Sequence, residues 1–337
     1  MSVMKALPAL LITAALALTS CSAPEPENTA SPVNKDVATG GSKFGTADTE
    51  TAKFGSDAEP GQFPRTVKHA AGTTEIKEKP KRIVVLENGE LDGVLTLGIT
   101  PVGMTTSKGE NPIPSYLADK LEGVTTVGTI NEVNVEAVAA LQPDLILGNQ
   151  LRADKLYPQL SQIAPTVFSI RPGFPWKENF LLIGETLGME KEAEAKLQQY
   201  HEAVSGLGNS VPDGTTVSLV RFMPGKLRLY GRKSLIGVIL QDAGLARPAE
   251  QDVDELAVEI SPETIDKADG SIIFYTSYGT PAATGETAVI ESSSWKALPA
   301  VAEGKAHRVN DDVWYLGLGP TGAMQIVSDL KELLPKK

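Results

Sequence analysis

The rhythm of apolar and polar positions changes several times along the 337 residues. Residues 6–18 form an apolar-rich run, and residues 22–62 are Ser, Thr, Ala, Gly, Pro and acid. From residue 82 short β-branched runs alternate with helical patterns. "RIVVLE" predicts a strand, "NGELDGVLTLG" a helix closed by Gly98, and "ITPVGM" a return to strand. "NVEAVAALQPDLILG" predicts a short helix capped by Asn134, the breaker Pro143, and a strand over Leu145 to Leu147. The plan restarts after residue 210 with "TVSLVRF", a Pro-Gly turn, "KLRLYG" and the helix "SLIGVILQDAG". "SPETIDKADGSIIFY" follows, with Ser261 as N-cap and Pro262 at the first helical position. Alternation of this kind predicts an α/β fold with mainly parallel sheets covered on both faces.

Two features argue for two similar lobes over one large sheet. Glu136 lies two residues after its cap and nine before Leu145, and Glu263 lies two after its cap and nine before Ile272. Between the halves, apolar positions 193, 197, 200, 204 and 207 step by 4, 3, 4 and 3, the spacing of one helical face. The spacing predicts a helix over 189–208, ended by Gly208, that runs from lobe one (63–188) to lobe two (209–337). A continuous helix between lobes resists the wide hinge opening that extended connections allow.

The first sixty residues predict a different fate. Lys5 supplies a positive n-region, Ala6 to Leu18 an apolar h-region, and small residues follow, as in a secretory signal over 1–20. Thirteen apolar-rich residues are too few to span a bilayer, which takes about 20. Cys21 is the only cysteine, so no internal disulfide can form. The tract 21–62 lacks the apolar content to offset its ordering entropy. It predicts a flexible tether of about 40 residues with an r.m.s. reach of about 35 Å, in which two "KFG" copies at 43–45 and 53–55 carry no meaning. The formal charge of −11, with no Lys/Arg run, argues against nucleic acid. No G-x-S-x-G elbow, phosphate loop or H-E-x-x-H is present. His69, His201 and His307 are scattered, without the clustering a site for free zinc or manganese needs.

"LTSC" at 18–21 resembles the lipobox of bacterial lipoproteins, whose cysteine is acylated; the plain alternative is an ordinary signal peptide with a stray thiol. The stretches "GTTEIKEKPKRIVVL", "LGITPVGM", "NVEAVAALQPDLILG", "KLYPQLSQIAPTV" and "WKALPAVAEGKAHRVNDDVWYLGLGPTGA" together resemble the helical-backbone class of substrate-binding proteins. These serve ABC importers of ferric siderophores, haem and cobalamin. "RFMPGKLRLYGRKSLIGVILQDAGLARP" is most similar to the iron-siderophore branch. The resemblance runs from about residue 63 to the C-terminus. It implies two lobes joined by one long helix with the ligand cleft between them, and a lipid-anchored monomer on the extracytoplasmic face of the cell membrane. It also implies delivery of the ligand to an ABC permease and its ATPase, with no catalysis and no cofactor of the protein's own. Iron arrives only inside the ligand, which the resemblance makes a hydroxamate or mixed hydroxamate-carboxylate siderophore. A haem or cobalamin receptor is the alternative within the class, with Tyr275 or Tyr278 as an axial ligand. A cell-wall enzyme or adhesin on a lipid tether is the alternative outside it.

A siderophore is a bulky cage showing oxygens on its outer face, so its site needs aromatic walls and a few cationic donors. Such ligands sit where strand ends meet helix starts. Arg221 closes a strand inside an apolar run, and Tyr230 ends the paired strand; the plain alternatives are an arginine in water and a core tyrosine. Trp314 and Tyr315 lie in "DVWYLG", which is similar to a hydroxamate-binder segment whose tryptophan faces the ligand. Trp176, with Arg171, follows the Pro/Gly loop leaving lobe one, Arg152 follows "LILGNQ", Asn88 follows the first strand, and Tyr275 and Tyr278 follow a strand over Ile272 to Phe274. Hydroxamate binders of the Gram-negative type carry an arginine where this chain has Ile130, so the lobe-one cation falls to Arg152 or Arg171. Glu136 and Glu263 match the acidic pair, one per lobe, that docks this class onto permease arginines; the plain alternative is a carboxylate favoured by each helix's N-terminal dipole.

Overall fold

The structure is a computed structural model, and it describes residues 43–107 and 112–337. The signal segment, Cys21 and the first half of the expected tether therefore lie outside the described residues.

Lobe one opens with a hairpin of β1 (Arg65–His69) and β2 (Gly72–Ile76). Its six-stranded sheet comprises β3 (Ile83–Val85), β4 (Gly103–Thr106), β5 (Thr125–Thr129), β6 (Glu132–Val133), β7 (Leu145–Asn149) and β8 (Thr166–Ser169), in the order β6-β5-β4-β3-β7-β8. Every pairing in it is parallel except β5 with the short edge strand β6. Strands β3, β7 and β8 are buried throughout, as expected where helices cover both faces.

Lobe two is a five-stranded sheet of β9 (Val217–Met223), β10 (Lys226–Tyr230), β11 (Ala257–Ile260), β12 (Ile272–Ser277) and β13 (Ala306–Arg308), in the order β11-β10-β9-β12-β13. Here β9, β12 and β13 run parallel, whereas β10 and β11 pair antiparallel. The Pro224-Gly225 turn is the cause: Gly225 at φ 76° closes a hairpin too short for a parallel crossover. The mixed sheet is thus less parallel than that of lobe one.

The connecting helix spans Glu190–Ser210, and its buried face is the set Ala193, Leu197, Tyr200, Val204 and Leu207 that the periodicity predicts. Gly208 does not end it. A Cβ there would lie 2.0 Å from the Ala243 carbonyl oxygen, so this glycine permits the close approach of the lobe-two helix Leu235–Asp242. The C-terminal helix Pro320–Leu333 packs against the connecting helix and against Asn88–Thr96 of lobe one. Its first turn is capped by a lobe-one carboxylate: Asp92 accepts from the backbone N–H groups of Thr321 and Gly322, each at 2.9 Å. One hydrophobic cluster runs through all these helices, including Leu91, Phe180, Leu197, Ile239 and Ile326, so the lobes share a continuous core.

Residues 43–62 are not tether. Phe44 begins a 3₁₀ turn that leads into the helix Ala47–Thr51, and Phe44, Ala47 and Thr51 are buried on the body of the protein. Beyond the helix, Gly55 bridges to Lys68 of β1, and the Ser56 N–H donates to the Glu185 carboxylate. Composition averaged over forty residues hides the cause, which is two phenylalanines. They are the only aromatic residues between 22 and 62.

Candidate functional site

The C-terminal ends of β9 and β12 and the segment after β13 bring a cation and three aromatic rings together. Arg221 sits near the end of β9, opposite Thr276 of β12 and Arg228 of β10. Its Nε donates to Asp311 Oδ1 at 2.6 Å, Nη2 donates to Asp311 Oδ2, and Nη1 donates to the Tyr230 hydroxyl at 3.1 Å. Its Cζ lies 4.7 Å from the ring centroid of Tyr278 and 5.0 Å from that of Tyr315. Tyr230 and Tyr315 meet edge to face at 4.6 Å. Burial pulls the guanidinium's pKa down, but Tyr230 and Asp311 outweigh it and hold the group above its ordinary value, so Arg221 stays charged. Three of its five N–H donors are used in these bonds, leaving two to offer. The Tyr315 hydroxyl is buried with no hydrogen-bond partner, and Tyr278 is 37% exposed.

Lobe one contributes a second polar cluster from the ends of β3 and β7. Glu87 closes the apolar run after β3 and caps the helix Asn88–Thr96, accepting from the Asn88 N–H at 2.9 Å. Its other oxygen accepts from Arg152 Nε at 2.8 Å, and Arg152 Nη1 donates to Asn131 Oδ1 at 3.0 Å. Asn149, the last residue of β7, caps the turn that carries Arg152. Asn131 adjoins Ile130, so Arg152 brings a guanidinium to the neighbourhood where the side chain at 130 supplies none. Asn88 is buried, with Nδ2 donating to Ser107 Oγ at 3.1 Å and to the Leu316 carbonyl of lobe two at 3.4 Å. Arg171 follows β8 and is buried, its Cζ 4.5 Å from the Phe44 ring and 5.5 Å from Phe174. Burial, and then the nearby charge of Arg152, push its pKa down to about 10.

Three expected residues lie elsewhere. Trp314 is 0% exposed, packs 4.8 Å from Phe274, and donates its indole N–H to Asp329 at 2.8 Å. The cause is local: Asp311–Trp314 is a helical turn, which rotates Trp314 into the core and leaves Tyr315 to face Arg221. Trp176 opens the helix Trp176–Leu187, is buried, and packs edge to face on Tyr200 of the connecting helix at 4.8 Å. Tyr275 points to the opposite side of β12 and packs on Trp295 and Phe222 in the second core of lobe two. Glu87, Asn131 and Asp311 had no place among the expected residues. A carboxylate that closes a wholly apolar strand, as Glu87 does, is the signal that marks such a partner.

Glu136 and Glu263 are both exposed in the first turns of their elements. Val133 pairs with Gly128 near the end of β5, and Ile260 pairs with Leu227, which pairs with Phe222 near the end of β9. Each glutamate therefore starts from the C-terminal edge of its own sheet. The Glu263 element is 3₁₀, and Ser261 does not cap it with its side chain in the expected way; the Ser261 hydroxyl instead lowers the Glu263 pKa by hydrogen bonding. Among the described residues, no group of three or more His, Cys, Asp or Glu is placed to hold a metal ion. No described helix is long and apolar enough to cross a membrane.

A probable siderophore-binding lipoprotein of Bacillus subtilis, YfiY, is 39% identical over 281 residues, covering 79% of this chain and 86% of its own. The Fe(3+)-citrate-binding protein YfmC of the same organism is 30% identical over 77% of this chain and 82% of its own. Staphylococcus aureus SirA, solved in complex with staphyloferrin B, superposes with a TM-score of 0.73 at 32% identity, covering 81% of this chain and 99% of its own. The profile of the periplasmic binding protein family matches residues 83–312, from β3 to the turn that holds Asp311, and the chain belongs to that family.

Proposed function

We propose that this chain is the substrate-binding lipoprotein of an ABC importer, and that it captures a ferric siderophore between its lobes and presents it to the permease. The observation that carries the proposal is Arg221, a buried, permanently charged guanidinium flanked by Tyr278 and Tyr315 with two N–H donors to spare. Such a group suits the oxygen-rich face of an iron cage. It hydrogen-bonds ligand oxygens and does not compete for the metal. Arg152 supplies the corresponding cation from lobe one, and Asn88 marks the line where the lobes touch. The siderophore-binding relatives support this ligand class. The ligand itself is a hydroxamate or mixed hydroxamate-carboxylate complex, and its iron is cargo, held by the siderophore.

Acylation of Cys21 anchors the protein to the outer face of the membrane. Glu136 and Glu263 dock it on the permease, and a groove of about 650 Å3 beside Glu263, lined by the β9–β10 turn and by residues 282–294, offers room for a permease element.

Calorimetric titration with ferric hydroxamate, ferric hydroxycarboxylate and ferric catecholate complexes, with the iron-free ligands and haem as controls, tests the ligand class. Saturable heat with an iron-loaded hydroxamate or mixed complex, and none with free ligand, is expected. Haem binding with a Soret shift, and silence towards every ferric complex, would overturn the proposal.

A further inference from the structure

We propose that the segment Lys43–Phe54 is a clasp that holds the two lobes together at one end of the cleft and fixes Arg171 in position there. The contacts of this segment divide between the lobes. On lobe one, Phe44 meets Phe174 edge to face at 5.5 Å, Lys43 Nζ donates to Gln150 Oε1 at 3.2 Å, and the Arg171 guanidinium lies over the Phe44 ring. On lobe two, Asp48 pairs with Lys233 at 3.3 Å, and the small apolar cluster around Phe44 draws in Val238 and Leu256. Phe174 is the point where the two sets meet, because Lys233 Nζ also sits 4.5 Å from its ring centroid. Arg171 of lobe one thus stacks on both phenylalanine rings, one of which comes from the N-terminal segment, and Lys233 of lobe two stacks on Phe174.

The far end of the segment is tied down as well. Phe54 packs against both this cluster and the main core, and Gly55 at φ 127° turns the chain into its bridge with Lys68. A Cβ at Gly55 would overlap the Glu185 carboxylate, which is the group that receives the Ser56 N–H. The two KFG copies are therefore the two fastenings of the clasp. Gln150 opens the turn that carries Arg152, so the segment touches Arg171 directly and the element of Arg152 through Lys43.

The clasp itself stands on these contacts alone; its effect on ligand affinity rests on the function proposed above. The full chain carrying Cys21→Ser accepts nitroxide labels at Gln159→Cys in lobe one and Glu250→Cys in lobe two without other thiols interfering. Electron–electron distance measurements should show a single narrow distribution for this parent. Phe44→Ala should broaden or lengthen it, and Phe44→Leu should leave it unchanged. Where Phe44→Ala fails to fold, Asp48→Lys, which keeps every aromatic ring and sets like charge against Lys233, should give the same broadening. Affinity for the iron complex identified by titration should fall about tenfold in the loosened variants, because the site loses its preorganisation. An unchanged distribution in both Phe44→Ala and Asp48→Lys would overturn the clasp. A changed distribution with unchanged affinity would overturn its role at Arg171. A parent that binds no ferric complex would sink the siderophore proposal, and the distances would still decide the clasp.

Discussion

At the scale of single residues, Arg221 is a structural ion, and the ligand-donor role proposed for it can be separated from that one. Removing one partner of a buried pair leaves the other unpaired and costs about 3 kcal/mol or more. Arg221→Gln should therefore lower both stability and ligand affinity, since Asp311 loses its bidentate partner. Adding Asp311→Asn should return most of the stability, read in urea melts, and none of the affinity, read by calorimetry. Recovery of both would make Arg221 a purely structural residue. A second pair of residues contributes opposing terms to the pH dependence. Burial, and then the charge of Glu87, raise Glu90 to about 7, while burial lowers His69 to about 4. Between about pH 4.5 and 7 the folded chain binds more protons at Glu90 than the unfolded chain does, so this residue makes stability fall as pH rises. His69 does the reverse between about pH 4 and 6.5: the unfolded state takes up its proton first, and stability falls as pH falls. Its environment agrees, since Nδ1 accepts the Ala71 and Phe168 N–H groups and leaves Nε2 to meet Thr74. The two slopes oppose one another over a shared window. Glu90→Gln should remove the Glu90 slope, so that this variant gains on the parent by up to about 3 kcal/mol as pH rises from 4.5 to 7. A parallel pair of stability profiles would show that Glu90 ionises normally. That Arg221 and Tyr230 lie near the ends of paired strands was legible in the sequence, because each closes an apolar run on one side of a Pro-Gly turn. Trp314 was not, because one helical turn, invisible in "DVWYLG", exchanges which of two neighbouring aromatics faces the cation.

At the scale of elements, the connecting helix shows what periodicity resolves and what it leaves open. Its buried face follows from spacing alone, since only a helix brings five positions stepping by 4 and 3 to one side. Its end does not. Gly206 and Gly208 look alike in sequence, yet nothing lies within 4 Å of a Cβ at Gly206, whereas at Gly208 a Cβ would strike the Ala243 backbone. Gly206→Ala should stabilise by about 0.5–1 kcal/mol through helix propensity alone. Gly208→Ala has the same propensity gain but must push the helix Leu235–Asp242 away, and should destabilise by about 1–3 kcal/mol. Thermal melts of the two variants should therefore move in opposite directions; a shared direction would mean that the two helices are not in contact at Gly208. The segment 43–62 was misjudged for a related reason. Disorder follows from the average of a stretch, but docking follows from a few side chains and the surface waiting for them. That surface, Ile170 and Phe174 on one side and Val238 and Leu256 on the other, exists only once the lobes have folded.

At the scale of the whole molecule, the shared core and the Asp92 cap on the C-terminal helix leave little room for one lobe to swing relative to the other. A receptor that changes shape little on binding must be recognised through a surface already in place, and the docking proposed above assigns that surface to the exposed glutamates, one in each lobe. They are far apart in sequence, and each begins its helical turn at the C-terminal edge of its own sheet. Sequence revealed this correspondence through equal offsets from cap and strand, although one element is α-helical and the other 3₁₀. Two separated charge pairs fix orientation and association rate more than raw affinity. Glu136→Arg with Glu263→Arg should therefore abolish uptake of the iron complex by whole cells while calorimetric affinity and melting temperature stay near those of the parent. Both side chains are exposed, so the folded chain loses no buried partner when they are reversed. A role confined to favouring the helix starts predicts the other order: the melting temperature drops, and uptake falls only in proportion to the folded protein present. Reversing one glutamate at a time adds a further check, since docking through both lobes requires each single variant to slow uptake and neither to alter ligand binding. Normal transport by a stably expressed double variant would remove the docking role and leave the two carboxylates as helix-start residues only.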